Sequence, residues 1–368
     1  MTAAPEILVG PTGSFAWRVF HGRHPALLSQ IRAAHPYGPE QLAALDTLLR
    51  ESTGGTVQRL PEGARDQADW DRWGAGYYGR PWIELPFLWA ESYFYRRLLE
   101  AVGWYPPGPW AGLDPFGFLK AAELAPSTVD EKVDLGTLLY AAMWGNQADL
   151  GFLIGGGGTA VQNTGQILAD DSGPVLALLE SGRVRRLCLV TDNSGTELLA
   201  DLMLLDRLLA TGRAGAVEVH VKPYPYYVSD VTTADLVAAL RQLPRDRADR
   251  LREAAHDGRL SIATHRFHAA PFDFHHLPAE LADRFAAADL VVIKGDLNYR
   301  RLVGDRRWPA TAPFVEVAGY FPAPLVALRT LKSEVCVGLD RATVTRLDAT
   351  VPDWRISGHY GVVQAHLG

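Results

Sequence analysis

Residues 185–197 read RRLCLVTDNSGTE, a short apolar run that leads directly into polar residues. A helix with an apolar stripe is predicted to follow over about 196–211. Similar runs and helices alternate through the rest of the chain, with runs at 216–221, 260–264, 289–294, 314–318 and 334–338, and helices at about 233–243, 245–256 and 278–287. Apolar runs of this length, joined by helices, are typical of strands that are buried on both faces. The fold class predicted is therefore α/β, a three-layer α/β/α sandwich with a mainly parallel sheet.

The first half of the chain has a different pattern. It is rich in tryptophan, and its apolar periodicity predicts helices over 40–51, 83–101 and 134–144. We therefore predict a mainly helical N-terminal region, residues 1–180, that packs on an α/β/α domain, residues 181–368. The Gly155–Gly158 run near the junction lacks the Gly-Lys-Ser/Thr of a phosphate-binding P-loop, so we interpret it as a structural loop.

Composition excludes several classes of protein. The 368 residues include 36 Lys plus Arg and 42 Asp plus Glu, a net charge of −6 that argues against nucleic acid or an anionic membrane as partner. Hydrophobic residues make up 48%, enough for a large core. The two cysteines, Cys188 and Cys336, indicate a reducing compartment, and Cys188 is expected to be a small buried apolar residue within its strand. Because neither a signal peptide nor a membrane-spanning run is apparent, a soluble cytoplasmic protein is predicted.

Polar residues follow the predicted strands at the edge where ligands bind in open parallel sheets. Asp192 and Asn193 follow the first strand, and Asp230 follows the second. Carboxylate and amide oxygens are ligands that Mg²⁺ and Mn²⁺ prefer. Alternatively, Asp192, Ser194 or Asp230 caps a following helix, and the spacing alone leaves both interpretations open.

A second set of residues suits a phosphate group. The run ending at Lys294 leads into Gly-Asp-Leu-Asn-Tyr-Arg-Arg, a stretch predicted to be a polar loop carrying Arg300 and Arg301. Lys332 follows in an Arg-x-x-Lys pair with Arg329. Such cations bind phosphate, although a solvated surface is the alternative for both. A cation held by oxygen ligands beside cationic side chains indicates phosphoryl chemistry.

Together these motifs resemble the damage-control phosphatase family, specifically its acidic-residue-methyltransferase-like branch. The resemblance rests on residues 192–202, 227–230, 294–300 and 329–332, and it extends into the first half through 82–87, 91–97, 114–116 and 144–149. It implies a metal-dependent phosphatase acting on sugar phosphates such as fructose 1-phosphate or fructose 6-phosphate. The alternatives are a protein-glutamate carboxyl methyltransferase, an activity also attributed to this branch, and a sugar-phosphate-binding protein without turnover.

The resemblance also implies which residues do the chemistry. A divalent manganese, cobalt, nickel or magnesium ion would be held by Asp192, Asn193 and Asp230. The substrate, a small phosphorylated metabolite, would be contacted by Asp192, Asn193, Asp296, Leu297, Asn298, Tyr299, Arg300 and Lys332. Asp192, Asn193 and Asp296 are the catalytic candidates, with Asp296 orienting a water or a sugar hydroxyl. Whether Asp192 attacks phosphorus or positions a water stays open, and no oligomeric state is predicted.

Overall fold

The strands of the protein form a seven-stranded sheet in the computed structural model, which describes residues 4–124, 133–145 and 166–368. In chain order they are β1 (Ile167–Asp170), β2 (Arg186–Val190), β3 (Ala216–Val221), β4 (Leu260–Thr264), β5 (Leu290–Lys294), β6 (Leu325–Thr330) and β7 (Gly361–His366). Their order across the sheet is β1-β7-β6-β5-β2-β3-β4. Neighbours are parallel except β6 and β7, which are antiparallel. The mainly parallel sheet predicted from the sequence is confirmed.

Helices dominate the described part of the first half. They are α1 (Phe15–Arg18), a π-helical turn (Val19–Arg23), α2 (His24–Ala34), α3 (Pro39–Gly54), α4 (Gln67–Trp73), a 3₁₀ turn (Trp82–Glu84), α5 (Phe87–Ala101), α6 (Gly117–Glu123) and α7 (Leu135–Trp144). The helices of the second half are α8 (Ser172–Glu180), α9 (Thr196–Ala210), α10 (Thr233–Leu240), α11 (Arg245–His256), α12 (Ala279–Ala286), α13 (Gly295–Val303), α14 (Phe314–Ala318) and α15 (Arg341–Thr350), with 3₁₀ turns at Arg266–Ala269 and Phe274–His276. None of the helices in the described ranges is long and apolar enough to cross a membrane.

Two hydrophobic cores lie on opposite faces of the sheet. Alternate residues of β2 belong to different cores: Cys188 and Val190 share a core with α2, α3 and α5, whereas Leu187 and Leu189 share the other core with α7 and α9. All five residues of β5 are buried, as expected for a strand covered on both faces. The first-half helices thus share a core with the sheet. The division at residue 180 stays a prediction, although β1 and α8 precede it and belong to the sheet and its helical layer.

Two of the predicted strands are wrong. Residues 314–318 form α14, in which Phe314 and Val317 are buried but Val315 is 52% exposed, a helical rather than an alternating pattern. Residues 334–338 are irregular, although Val335, Cys336 and Val337 are buried. Three strands of the sheet were not predicted: β1, β6 and β7.

The polar stretch after β5 also differs from its prediction. Residues 295–301 are not a loop but the beginning of α13, so their side chains point in several directions around a helix. Residues 146–149 of the family motif and the Gly155–Gly158 run lie outside the described residues.

Candidate active site

A cavity of about 430 Å³ opens at the carboxyl ends of the parallel strands. The turn after β2, the loop after β3 and the first turn of α13 all contribute to it. Its walls include the predicted residues Asp192, Asn193, Asp230, Asp296, Leu297, Arg300 and Lys332. Phe15, Arg23, Glu91, Glu123, Thr196, Tyr227 and Ser229 also line it. Glu91, Thr196, Tyr227 and Ser229 belong to the motifs 91–97, 192–202 and 227–230, although none of them was predicted as a site residue. Phe15, Arg23 and Glu123 lie outside the motifs.

Backbone hydrogen bonds bring Asp192 and Asp230 together. Val231 N–H donates to the Asp192 carbonyl at 2.9 Å, and Ser194 N–H donates to the Ser229 carbonyl at 2.7 Å. The loop after β3 reaches this position through two consecutive left-handed residues, Tyr227 (φ 44°) and Val228 (φ 68°). A β-branched residue in this conformation is strained, and such strain is concentrated at functional sites. The loop therefore adopts a strained backbone conformation, and this conformation places Asp230 beside Asp192.

Neither aspartate caps a helix, so the capping interpretation is wrong. Helix α9 has Gly195 at its N-cap with no side-chain cap, and α10 is capped by Thr232 in a capping box with Asp235.

The approach of α13 to Asp192 requires a glycine. Gly295 has φ +78°, and a Cβ built there would overlap the Asp192 carboxylate. The carboxylate therefore occupies the space that any other side chain would need.

The two buried aspartates stand in an environment that disfavours two negative charges. Burial raises the pKa of Asp192 well above its ordinary value, and Glu197 and Asp230 raise it further. Burial likewise raises the pKa of Asp230 to about 6, although the Lys222 ammonium acts in the opposite direction. A cation placed between these carboxylates would offset their repulsion.

The donor atoms present fit a divalent metal ion. Asp230 Oδ2 is buried without a well-aligned hydrogen bond, although Lys222 Nζ lies 3.2 Å away. Asn193 Nδ2 donates to Asp192 Oδ2 at 2.8 Å, and Asn193 Oδ1 accepts from Ser229 Oγ at 2.6 Å while retaining a second lone pair. Two carboxylates and one amide form an oxygen donor set for hard cations. Their assignment as metal ligands stays a prediction.

Asp296 is held by the Arg-Thr-x-Lys segment. Its Oδ1 accepts from Arg329 Nε at 2.9 Å, from Lys332 N–H at 3.0 Å and from Ser333 Oγ at 3.1 Å. Burial raises the pKa of Asp296, but Arg329, Arg300 and the hydrogen bonds from Lys332 and Ser333 together outweigh it, so the net shift is downward. Asp296 is therefore an anchored carboxylate, suited to accepting a hydrogen bond rather than storing a proton.

The cations near the cavity differ in how far their charge is already neutralised. Buried Arg300 donates to Asp305 through Nε and Nη2, at 2.8 and 3.0 Å, and to Glu91 through Nη1 at 2.9 Å. Lys332 lines the cavity, and its ammonium makes no ion pair within the ranges that the structure describes. Lys332 is therefore the cation better prepared to receive an anionic ligand.

Lys294 and three residues of the predicted polar loop do not line the cavity. Lys294 Nζ pairs with Asp201 at 2.6 Å and with Glu197 at 3.2 Å. Arg301 donates to backbone carbonyls of residues 267, 268 and 272. Asn298 Nδ2 donates to the carbonyls of Thr191 and Lys294, both at 2.8 Å, and the Tyr299 hydroxyl donates to Gln364 at 2.7 Å. These side chains fix α13 in place, and the substrate contacts assigned to Asn298 and Tyr299 stay predictions.

The fold is an α/β/α sandwich with a mainly parallel sheet. One cavity at the carboxyl ends of its parallel strands holds a cluster of carboxylates beside cationic side chains. Residues 19–347 match the family model described as "Damage-control phosphatase ARMT1-like domain". The chain therefore belongs to the damage-control phosphatase ARMT1-like family, which confirms the resemblance seen in the motifs.

Relatives match over most of the chain. A protein named damage-control phosphatase ARMT1 from Xenopus laevis is 34% identical over 334 residues, covering 77% of this chain and 75% of that protein. Proteins of the same name from Homo sapiens and Danio rerio are 32% and 29% identical, and the latter match covers 96% of this chain and 94% of that protein. The crystal structure of a DUF89 family protein from Pyrococcus horikoshii, 14% identical, aligns with a TM-score of 0.50 over 95% of this chain and 98% of that one, a likeness of fold.

Proposed function

We propose that this protein is a metal-dependent phosphomonoesterase that hydrolyses small phosphorylated metabolites, sugar phosphates in particular. The observation that carries the proposal is the shared cavity, in which the Asp192, Asn193 and Asp230 oxygens lie with the Lys332 ammonium. A metal site of hard oxygen ligands next to a cationic side chain suits a phosphoryl group. The family membership and the names of the relatives support the same activity.

The walls of the cavity favour a polyhydroxylated substrate. Its volume of about 430 Å³ falls within the usual range of small-molecule sites. Glu91 and Asp296 add carboxylate oxygens, which accept hydrogen bonds from hydroxyl groups. The family resemblance implies fructose 1-phosphate and fructose 6-phosphate in particular, and these polyhydroxylated compounds are the first substrates to test.

Each residue then has a defined part in the reaction. A divalent ion held by Asp192, Asn193 and Asp230 would supply positive charge to the phosphoryl oxygens. Lys332 adds an ammonium that stabilises the same oxygens as charge develops on them. Asp296, ionised and fixed by Arg329, orients a water or a substrate hydroxyl through the carboxylate oxygen that Arg329 does not hold.

The test is release of inorganic phosphate from a panel of phosphorylated compounds. Metal-stripped protein would be assayed with Mn²⁺, Co²⁺, Ni²⁺ or Mg²⁺ on sugar phosphates and on aryl phosphates without hydroxyl groups. We expect release that requires a metal and is faster for the sugar phosphates. Equal rates on both classes would contradict the substrate class, and no release from folded protein with any metal would contradict the phosphatase.

A further inference from the structure

A second cluster of metal-ligating side chains lies within the sheet, outside the cavity described above. Cys188 of β2 faces Glu218 of β3 across the parallel ladder, and His220 lies two residues further along β3 on the same face. One possible ligand atom of each side chain lies within 4.8 Å of those of the other two. The sequence predicted only a small buried apolar role for Cys188, because a single thiol shows no metal-site spacing along the chain.

Two polar atoms of this cluster lack proper partners. His220 is only 2% exposed, and its Nε2 lies 2.7 Å from Glu218 Oε1. Neither atom makes a well-aligned hydrogen bond within the described structure. Buried polar atoms are rarely left unsatisfied in proteins, and an ion bound between these two would satisfy both.

A neighbouring histidine orients the imidazole of His220. His220 Nδ1 lies 3.1 Å from Nε2 of the buried His268. With Nδ1–H as the donor in this contact, His220 Nε2 presents its lone pair to the Glu218 carboxylate. In this tautomer Nε2 can coordinate a cation that the Glu218 carboxylate also binds; in the other tautomer, Nε2–H faces Glu218 Oε1 as a donor. Metal-binding histidines usually have such a partner on the second ring nitrogen.

We propose that Cys188, Glu218 and His220 form a second metal site, for a borderline-soft divalent ion such as Zn²⁺ or Co²⁺. Sulfur, nitrogen and oxygen donors are the set that Zn²⁺ binds, with bonds of about 2.0–2.3 Å. Tetrahedral coordination at these lengths sets ligand atoms roughly 3.3–3.8 Å apart, so side-chain shifts of about 1 Å complete the site. On binding, the Cys188 thiol releases its proton to solvent. A cavity of about 310 Å³ beside Cys188 and Glu218 leaves room for a water as fourth ligand.

One cation already touches the cluster and would have to move. Arg284 Nε lies 3.0 Å from Glu218 Oε1, and the Arg284 side chain is 53% exposed. An ion pair with a half-exposed arginine is weak, and the side chain has free solvent to turn into. Arg284 is thus a competitor of the metal, and its removal should strengthen metal binding.

The test uses Co²⁺, whose bond to a thiolate gives a charge-transfer absorption in the near ultraviolet that oxygen ligands do not give. Metal-stripped full-length protein is titrated with Co²⁺, and we expect one equivalent of thiolate-bound ion. Cys188→Ser and His220→Gln should abolish the band, whereas Cys336→Ser, which removes the other cysteine, should retain it. Circular dichroism establishes that each variant is folded.

Two further variants test whether this site is independent of the proposed catalytic site and whether the Arg284–Glu218 ion pair competes with the metal. The band should persist in Asp192→Ala, since Asp192 belongs to the strand-end cavity, so the result does not depend on phosphatase activity. Arg284→Gln should lower the Kd for Co²⁺ about two- to fivefold. Absence of the band in wild-type and Arg284→Gln proteins, or its persistence in Cys188→Ser, would overturn the proposal.

Discussion

At the scale of single residues, the site depends on a glycine as much as on its charged groups. Gly295→Ala should reduce phosphate release by at least about 100-fold, because the new Cβ displaces the Asp192 carboxylate. Gly212→Ala is the matched control, since Gly212 also has a positive φ, +66°, but has open space around its Cβ position. Both variants should lose roughly 1–2 kcal/mol of stability from the left-handed backbone, and only the first should lose activity. Equal activities would contradict the position assigned to Asp192.

Lys332 and Arg300 have different roles although both line the cavity. Lys332→Gln should lower kcat/KM about 10- to 100-fold, because it removes a charged hydrogen-bond donor to the phosphoryl group. Binding of inorganic phosphate as a product inhibitor should weaken in parallel. The exposed Arg346 provides a control of equal charge change, Arg346→Gln, for which we expect unchanged kinetics. An unchanged phosphate affinity in Lys332→Gln would remove Lys332 from the phosphate site.

The sequence allowed the aspartates of the site to be predicted, but not the part of the cavity wall that comes from the first half of the chain. Asp192 and Asp230 each directly follow an apolar run, and parallel strands end at one edge, so their proximity follows from topology. Glu91 lies in α5, more than two hundred residues before its partner Arg300. No local pattern connects residues so far apart, and only the packed structure shows that they meet.

At the scale of elements, α13 is fixed to the first-half helices by a buried ion pair. Arg300→Met should lower the free energy of unfolding by about 3–5 kcal/mol, because it leaves Glu91 and Asp305 buried without their cation. Urea unfolding measures this change. Arg245→Met removes an arginine that is 96% exposed and 3.7 Å from its partner, and should cost less than about 1 kcal/mol. Similar costs for the two variants would contradict a structural role for Arg300.

Burial does not separate the strands that were predicted from those that were missed: β4 has exposed residues and was predicted, whereas all six residues of β6 are buried and β6 was missed. β3 and β4 have the predicted bounds, and β2 and β5 differ by a residue or so. β6 ends in Arg329 and Thr330, and β7 contains Gln364, which accepts the hydrogen bond of Tyr299. Pairing with a distant strand decides which buried segment joins the sheet, so hydrophobicity alone could not distinguish β6 from the irregular residues 334–338.

At the scale of the whole molecule, the cavity unites side chains from both regions of the chain. Arg23 lies at the end of the π-helical turn, and Glu91 lies in α5, whereas the carboxylate cluster follows the strands of the sheet. The shared hydrophobic core holds these parts in one arrangement. Substrate selectivity is therefore expected to depend on the first-half helices, and the phosphoryl chemistry on the sheet.

The proposed phosphatase requires a divalent ion bound by Asp192 and Asp230 for phosphate release. The direct measurement is the rate of release from fructose 1-phosphate as Mn²⁺ is added to metal-stripped wild-type, Asp192→Asn, Asp230→Asn and Asp283→Asn proteins; Asp283 is an exposed control. We predict no release by Asp192→Asn, at least about a tenfold higher Mn²⁺ requirement for Asp230→Asn, and wild-type behaviour for Asp283→Asn. Release without metal, or wild-type metal dependence in Asp192→Asn, would contradict a metal ion bound at Asp192 and Asp230.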